Sequence, residues 1–317
     1  MSLNKLFIKC FPVFIFFSTT IAGFSQTPDN NTFIAPFEQI FAIGAFCDFQ
    51  FTNLIYKDKT SGSDAITYTP NTPVGIGLSL SFKNFAISGG IGFDFMKKKE
   101  HGNTTAIDFQ YHYYGKKLVV DFFFLRYKGF YTIDDNQNIC LYPDIRIVQY
   151  GLNGQYVFNH EKFSYRAAFN QSEKQLKSAG SFHLSGGFYY NRVGSDGSLT
   201  LRSNNNVDNY QLGISGGYAY TWVFLKDFHA SAGLSGGINI GTENLKTFEN
   251  IEILPIYLSR AAAGYDAGNW SFGISFVLNR VIATRRNPLN ITLETGYAQM
   301  TFIRRLDTIP KFFRKSK

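Results

Sequence analysis

Phe163-Ser-Tyr-Arg-Ala-Ala-Phe-Asn170, Gln171-Ser-Glu-Lys-Gln-Leu-Lys-Ser178 and Ala179-Gly-Ser-Phe-His-Leu-Ser-Gly-Gly-Phe-Tyr-Tyr190 follow one another without a break. In the first part the bulky residues are Phe163, Tyr165 and Phe169, all odd. In the third they are Phe182, Leu184, Phe188 and Tyr190, all even. Ser164, Arg166, Ala168 and Asn170, then Ser181, His183, Ser185 and Gly187, fill the alternate positions. Successive side chains of a strand point to opposite faces, so each part carries one apolar and one small or polar face. Two such runs around a polar link predict a β-hairpin.

The same design recurs outward in both directions. Val74, Ile76, Leu78, Leu80 and Phe82 alternate with Gly75, Gly77, Ser79 and Ser81, and Lys83-Asn84 turns the chain into Phe85, Ile87, Ile91, Phe93 and Phe95. Further runs begin at Phe41, Ile107, Leu118, Tyr210, Phe228 and Trp270. Strands are also expected at roughly 145–158, 163–170, 253–265 and 289–304. Short turns (83–84, 115–117, 226–227, 266–269) alternate with longer loops (57–73, 96–104, 133–143, 242–252), the asymmetry of outer-membrane barrels. Thirteen candidate strands emerge, whereas bacterial barrels use even numbers. Two long links also meet near 193–207, so one assignment in that region is wrong. The expectation is an all-β, antiparallel, up-and-down transmembrane β-barrel of about 12 strands (10–14).

Composition supports this class. Aromatics and charged residues are each 17% of the chain, with 34 Phe, 19 Tyr and 29 Gly. A soluble antiparallel sheet alternates too. Here, however, rings gather near strand ends (Phe82, Phe85, Tyr113, Tyr190, Tyr220, Trp222, Phe224, Trp270), as interfacial girdles require. The opposite faces carry Gly and Ser where a solvated surface would carry Lys and Glu, which suits a narrow Gly/Ser-lined lumen.

The domain plan has four parts. Residues 1–25 read as a secretory signal peptide: Lys5 and Lys9, an apolar core from Cys10 to Ile21, then small residues with cleavage near Ser25/Gln26. Residues 26–38 form an extended lead-in, 39–305 the barrel and 306–317 a basic tail. Net charge is +8, from 31 Lys and Arg against 23 Asp and Glu. The basic tail reads as solvated, with contact to anionic headgroups or lipopolysaccharide as the alternative. Export argues against nucleic acid. The expected partners are outer-membrane lipid and the barrel-insertion machinery, with any small-molecule ligand unspecified, and the expected location is the outer membrane.

Candidate chemistry is sparse. Arg166, Gln171, Glu173, Lys174, Gln175 and Lys177 form the densest mixed polar cluster, either an inward plug or ligand loop or a plain solvated connection. His183 joins them on the inward face. His112 and His229 are inward as well, yet no pair of histidines has metal-ligand spacing, and neither a cofactor motif nor a catalytic set stands out. Gly pairs at 89–90, 186–187, 216–217 and 236–237 lie inside strands, where they permit bends or close packing. Cys47 and Cys140 would be the mature cysteines, one in a strand and one near a distant loop.

The stretch Phe163 to Phe182 resembles an uncharacterised Bacteroidetes family, a domain of unknown function numbered 4421. Tyr68-Thr-Pro-Asn-Thr72, Asp121 to Tyr131, Gly154-Gln-Tyr-Val-Phe-Asn159 and Gly296-Tyr-Ala-Gln-Met-Thr-Phe302 carry the resemblance over nearly all of the mature chain. It implies an exported outer-membrane β-barrel and carries over no catalytic residue. The chain departs from many barrels at its last strand, where Phe302 is followed by basic residues and not by a terminal aromatic.

Overall fold

The computed structural model describes residues 13–19, 32–39, 41–60, 64–82, 85–201, 205–248, 250–285 and 288–308. Twelve long strands form the wall. In chain order they are β1 (Phe41–Asp58), β2 (Gly75–Phe82), β3 (Phe85–Gly92), β4 (Thr105–Tyr114), β5 (Leu118–Ile133), β6 (Ile139–Val157), β7 (Ala179–Gly194), β8 (Asn206–Phe224), β9 (Phe228–Thr242), β10 (Glu252–Ala267), β11 (Trp270–Thr284) and β12 (Leu289–Leu306). Each pairs antiparallel with its chain neighbour, with one exception between β3 and β4. The wall closes where β12 pairs with β1 from Leu289↔Asp58 to Leu306↔Phe41. Closure removes the free outer edge that an open sheet would present, as a lipid surrounding demands.

The exception is a thirteenth stave. Val13–Thr19, from the expected signal peptide, lies between β3 and β4, antiparallel to the first and parallel to the second. The rest of residues 1–25 falls outside the described residues, as does the predicted turn 83–84. From the lead-in, Ile34–Pro36 is a short strand. The tail is described only to residue 308.

One expected strand is not there. Residues 163–170 form no hairpin with β7; Tyr165–Phe169 is a helix, α1. Ser164 caps it, its Oγ accepting from the Ala167 N–H at 3.1 Å. The apolar residues Tyr165, Ala168 and Phe169 follow a one-turn helical spacing that is easily taken for alternation in so short a run. Removing this segment turns thirteen candidates into twelve strands. Near 193–207 the chain has a single link, since β7 runs to Gly194 and β8 begins at Asn206. The wrong assignment therefore sits upstream of where it was expected.

The faces follow the expected parity, and the bulky ones point outward. Phe182, Leu212, Ile214 and Leu234 are 64–68% exposed on the outside, which excludes a soluble core built from these rings. Toward the turn end, rings link across four strand boundaries: Phe224–Phe228, Phe228–Tyr265, Tyr265–Trp270 and Trp270–Phe302, at 4.6–6.3 Å. A second ring row, Tyr150, Tyr190 and Tyr210, lies nearer the loop end. From Tyr210 to Trp222 is twelve steps of β8. At ~3.3 Å per step and a tilt of about 40°, this gives a band roughly 30 Å tall.

Beyond the Tyr190 row the polarity of the faces inverts. On β6 the inward residues are Gln155, Asn153 and Gln149 inside the band, then Ile147 and Ile145 above it. On β1 they are Asp48, Gln50 and Thr52, then Leu54 and Tyr56. Leu125, Tyr127, Val193, Val207, Ile291 and Leu293 join the same apolar cluster, which fills the loop end of the barrel. Outside, the band ends in Arg126, Arg146, Arg192 and Asp208. A barrel that is apolar outside and polar inside, and reverses both above one level, has a waist made for lipid and an end made for water.

Candidate functional site

The candidate site is the interior. Its turn end is stoppered by the connection 158–178, folded inward as a plug. Phe163, Tyr165 and Ala168 pack with Val119, Val157 and Ala219 of the wall. Beyond α1, Glu173–Gln175 pairs antiparallel with Ile34–Pro36, so the lead-in is the plug's second strand. Polar contacts fasten the plug to the barrel. Lys174 Nζ lies 2.5 Å from Asp227 Oδ1 and donates to the Asp266 carbonyl at 3.0 Å. Arg305 Nη2 donates to the Gln171 carbonyl at 2.7 Å, and Gln171 Nε2 donates to the Phe272 carbonyl at 3.2 Å.

Each predicted site residue has a definite place. Arg166 and Glu173 form an ion pair at 2.6 Å, and Ser164 Oγ donates to the same carboxylate at 2.7 Å. Gln171 lies over Gly264 and Gly273, whose missing side chains make its room: a Cβ on Gly273 would stand 2.6 Å from Gln171 Oε1. Gln175 is internal to the plug and donates to the Lys162, Lys177 and Phe33 carbonyls. Lys177 sits at the margin, 5.3 Å from the Phe33 ring. His183 is separate from this set. Its Nδ1 lies 3.0 Å from Tyr165 Oη and its Nε2 lies 2.7 Å from Ser235 Oγ. Arg166, Glu173, Lys177 and His183 therefore do not converge on one point. Arg166, Gln171 and Glu173 do line one cavity of about 560 Å³ between plug and wall, with Ser79, His229 and Gln299 among its other sides.

Deeper in, the lumen is crossed by side chains and is not a Gly/Ser-lined tube. Its Gly and Ser positions give room to large neighbours: a Cβ on Gly217 would meet His183 Nε2 at 2.5 Å. Arg260 Nη2 of β10 donates to Asp121 Oδ2 of β5 at 2.8 Å, five staves away on a thirteen-stave circuit. His112 Nδ1 lies 2.7 Å from the other Asp121 oxygen. Thr295 of β12 donates to Gln149 of β6, directly opposite, at 3.1 Å. A second cavity of about 110 Å³ lies beside Arg260, Asp121, His112 and Tyr297. Sequence reasoning missed Arg260, although a lone Arg in the run Ser259-Arg-Ala-Ala-Ala263 of a spanning strand is itself a signal. Among the described residues no three His, Cys, Asp or Glu side chains gather to hold a metal. Cys47 and Cys140 are both free and exposed.

The family profile described as a domain of unknown function (DUF4421) matches residues 27–305. No curated protein matches the sequence. Among solved structures, the outer membrane protease OmpT from Escherichia coli is similar at 9% identity and a TM-score of 0.36, over 90% of this chain and 99% of that one. The Pseudomonas putida toluene transporter TodX gives 7% and 0.30, over 85% and 91%. Outer-membrane expressed OmpT of Vibrio cholerae gives 7% and 0.30, over 84% and 98%. Scores at this level carry no argument about activity.

Proposed function

This chain belongs to the DUF4421 family, and we propose that it is an outer-membrane conduit for small polar solutes, held shut at its turn end by its own plug and narrowed at its loop end by the apolar cluster. One observation carries the reading. The plug's hold on the wall includes polar side-chain contacts at the turn end, from the part-buried Lys174 to Asp227 and from the buried Arg305 to the Gln171 carbonyl. Behind them lies a polar interior inside an apolar belt. A plug held partly through a few polar side chains can let go of the wall without breaking the strand ladder around it. The 560 Å³ cavity, lined by Ser, Gln, Arg and Glu side chains, is the vestibule such a solute would enter first.

Planar-bilayer conductance tests the reading. The native protein should be silent or open rarely. The double variant Lys174→Ala with Arg305→Ala should open often and to a larger conductance, while its unboiled gel band still runs ahead of the boiled one. A double variant that keeps that shift and never conducts would overturn the conduit.

A further inference from the structure

Four registers on the outside of β4–β8 line up as rows across the wall. The first is Tyr111, Phe122, Leu152, Phe188 and Leu212. The second, one pleat nearer the loop end, is Phe109, Phe124, Tyr150, Tyr190 and Tyr210. The third is Ile107, Arg126, Val148, Arg192 and Asp208, and the fourth is Thr105, Lys128, Arg146, Gly194 and Asn206. Apolar, aromatic, basic and basic rows thus follow one another at steps of about 7 Å. Arg126 and Arg192 flank Val148 from its two neighbouring strands, about 10 Å apart, and Lys128 sits opposite Arg146 in the next row.

The quartet is partly pre-positioned. Arg146 is held by Asp196 in a bidentate pair at 2.7 and 3.0 Å. Arg192 Nε donates to Asp208 at 2.6 Å, and its guanidinium lies 5.9 Å from the Tyr190 ring. Tyr190 Oη donates to the same Asp208 oxygen at 2.5 Å. Those two carboxylates offset two of the four cations. Arg126 and Lys128 are exposed and carry the surplus charge outward, at the height where an outer leaflet places its headgroups.

We propose that Arg126, Lys128, Arg146 and Arg192 form an outer-face site for the phosphate of a phosphorylated glycolipid headgroup, whose acyl chains lie along the aromatic and apolar rows below. The succession of charge-bearing rows above ring-bearing and apolar rows matches such a lipid level for level: phosphate above, hydrocarbon beneath. A solvated rim would require no such ordering. The proposal rests on the reading of this barrel as an outer-membrane protein.

Native mass spectrometry of the full chain in zwitterionic detergent, titrated with lipid A, tests the site. Each cation near such a surface is worth about a fivefold change in affinity, so Arg126→Gln with Lys128→Gln should weaken lipid A binding roughly twentyfold. Lys117→Gln, in the turn at the other end, should leave it unchanged. Inorganic phosphate should not displace the lipid, because it lacks the chains that fill the lower rows. Equal binding by the native protein and the double variant, in samples that both show the heat-dependent gel shift, would sink the site alone. Displacement by inorganic phosphate at concentrations equal to the lipid would reduce it to an anion patch and overturn the lipid assignment. Native protein without any gel shift would remove the membrane reading and the site together.

Discussion

Gly129 sits where β5 slips register against β6, between Lys128 and Phe130. Its φ is +88°, and a Cβ there would stand 2.3 Å from the Asn103 carbonyl oxygen. The slip turns its own carbonyl toward Thr104, whose Oγ1 donates to it at 2.7 Å and accepts from the Asn71 N–H at 2.8 Å. One residue thus pins two loops. Gly129→Ala should cost about 1–3 kcal/mol, since it combines a left-handed backbone with a clash. A lower urea midpoint with an unchanged slope would show it, and an unchanged midpoint would refute it. This position was not legible in the sequence, because a glycine for conformation and a glycine for space are spelled alike. Parity was legible. Phe182 and Leu184 face out and His183 faces in, as the alternation required. What parity cannot say is where the apolar face lies, and above the Tyr190 row it turns inward, into a packed cluster and away from lipid.

At the scale of elements, the plug was the hardest part to read. Its eight-residue run Phe163 to Asn170 carries alternating rings, and only the Ser164 cap with the Ala167-Ala168 pair hints at a helical turn. Such a short helix has little stability of its own and takes its form from packing, which no local rule supplies. Ser164 serves twice, capping α1 and donating to Glu173. Ser164→Ala should therefore loosen the plug by about 1 kcal/mol or somewhat more. Trypsin should then cut faster at Arg166 and Lys174, with the wall strands still protected; unchanged cutting would count against this double role. The connection between β5 and β6 makes a different case. The Asn138 side-chain amide, followed by its backbone N–H, holds the Asp134 carboxyl below its ordinary range. A lowered carboxyl pKa means the turn is favoured at any pH above the ordinary value of 3.8. That support is lost as the pH falls through the lower folded value. Protection of the Asn136 and Asn138 amides, relative to exchange of unstructured amides at the same pH, should fall only below that ordinary value, and a loss of protection near neutrality would contradict the assignment.

For the whole molecule, twelve strands were recoverable because turns and loops alternate in length, and the barrel is that alternation made into a wall. The parallel stave Val13–Thr19 has a further meaning when the protein is followed through time. Ile15 pairs with both Gly89 and Phe109, and Phe16 with both Ser88 and Gln110. Each pair sums to the same register, so the two strands already stand in the antiparallel alignment they would need for direct pairing. Lifting out the stave brings Gly89 opposite Phe109 and Ser88 opposite Gln110 with no change of face. In a background without Cys10, Cys47 and Cys140, Ser88→Cys with Gln110→Cys should crosslink in protein trimmed near residue 25 and not in a form that cannot be trimmed. Ser88→Cys with Phe109→Cys, one residue out of register and on the opposite face, should stay reduced in both. Crosslinking of the untrimmed form would contradict this order of events. Were residues 1–25 cut away, as a signal peptide is, the loss of one stave would let the two strands beside it pair directly and leave a wall of twelve: subtraction would complete the cask.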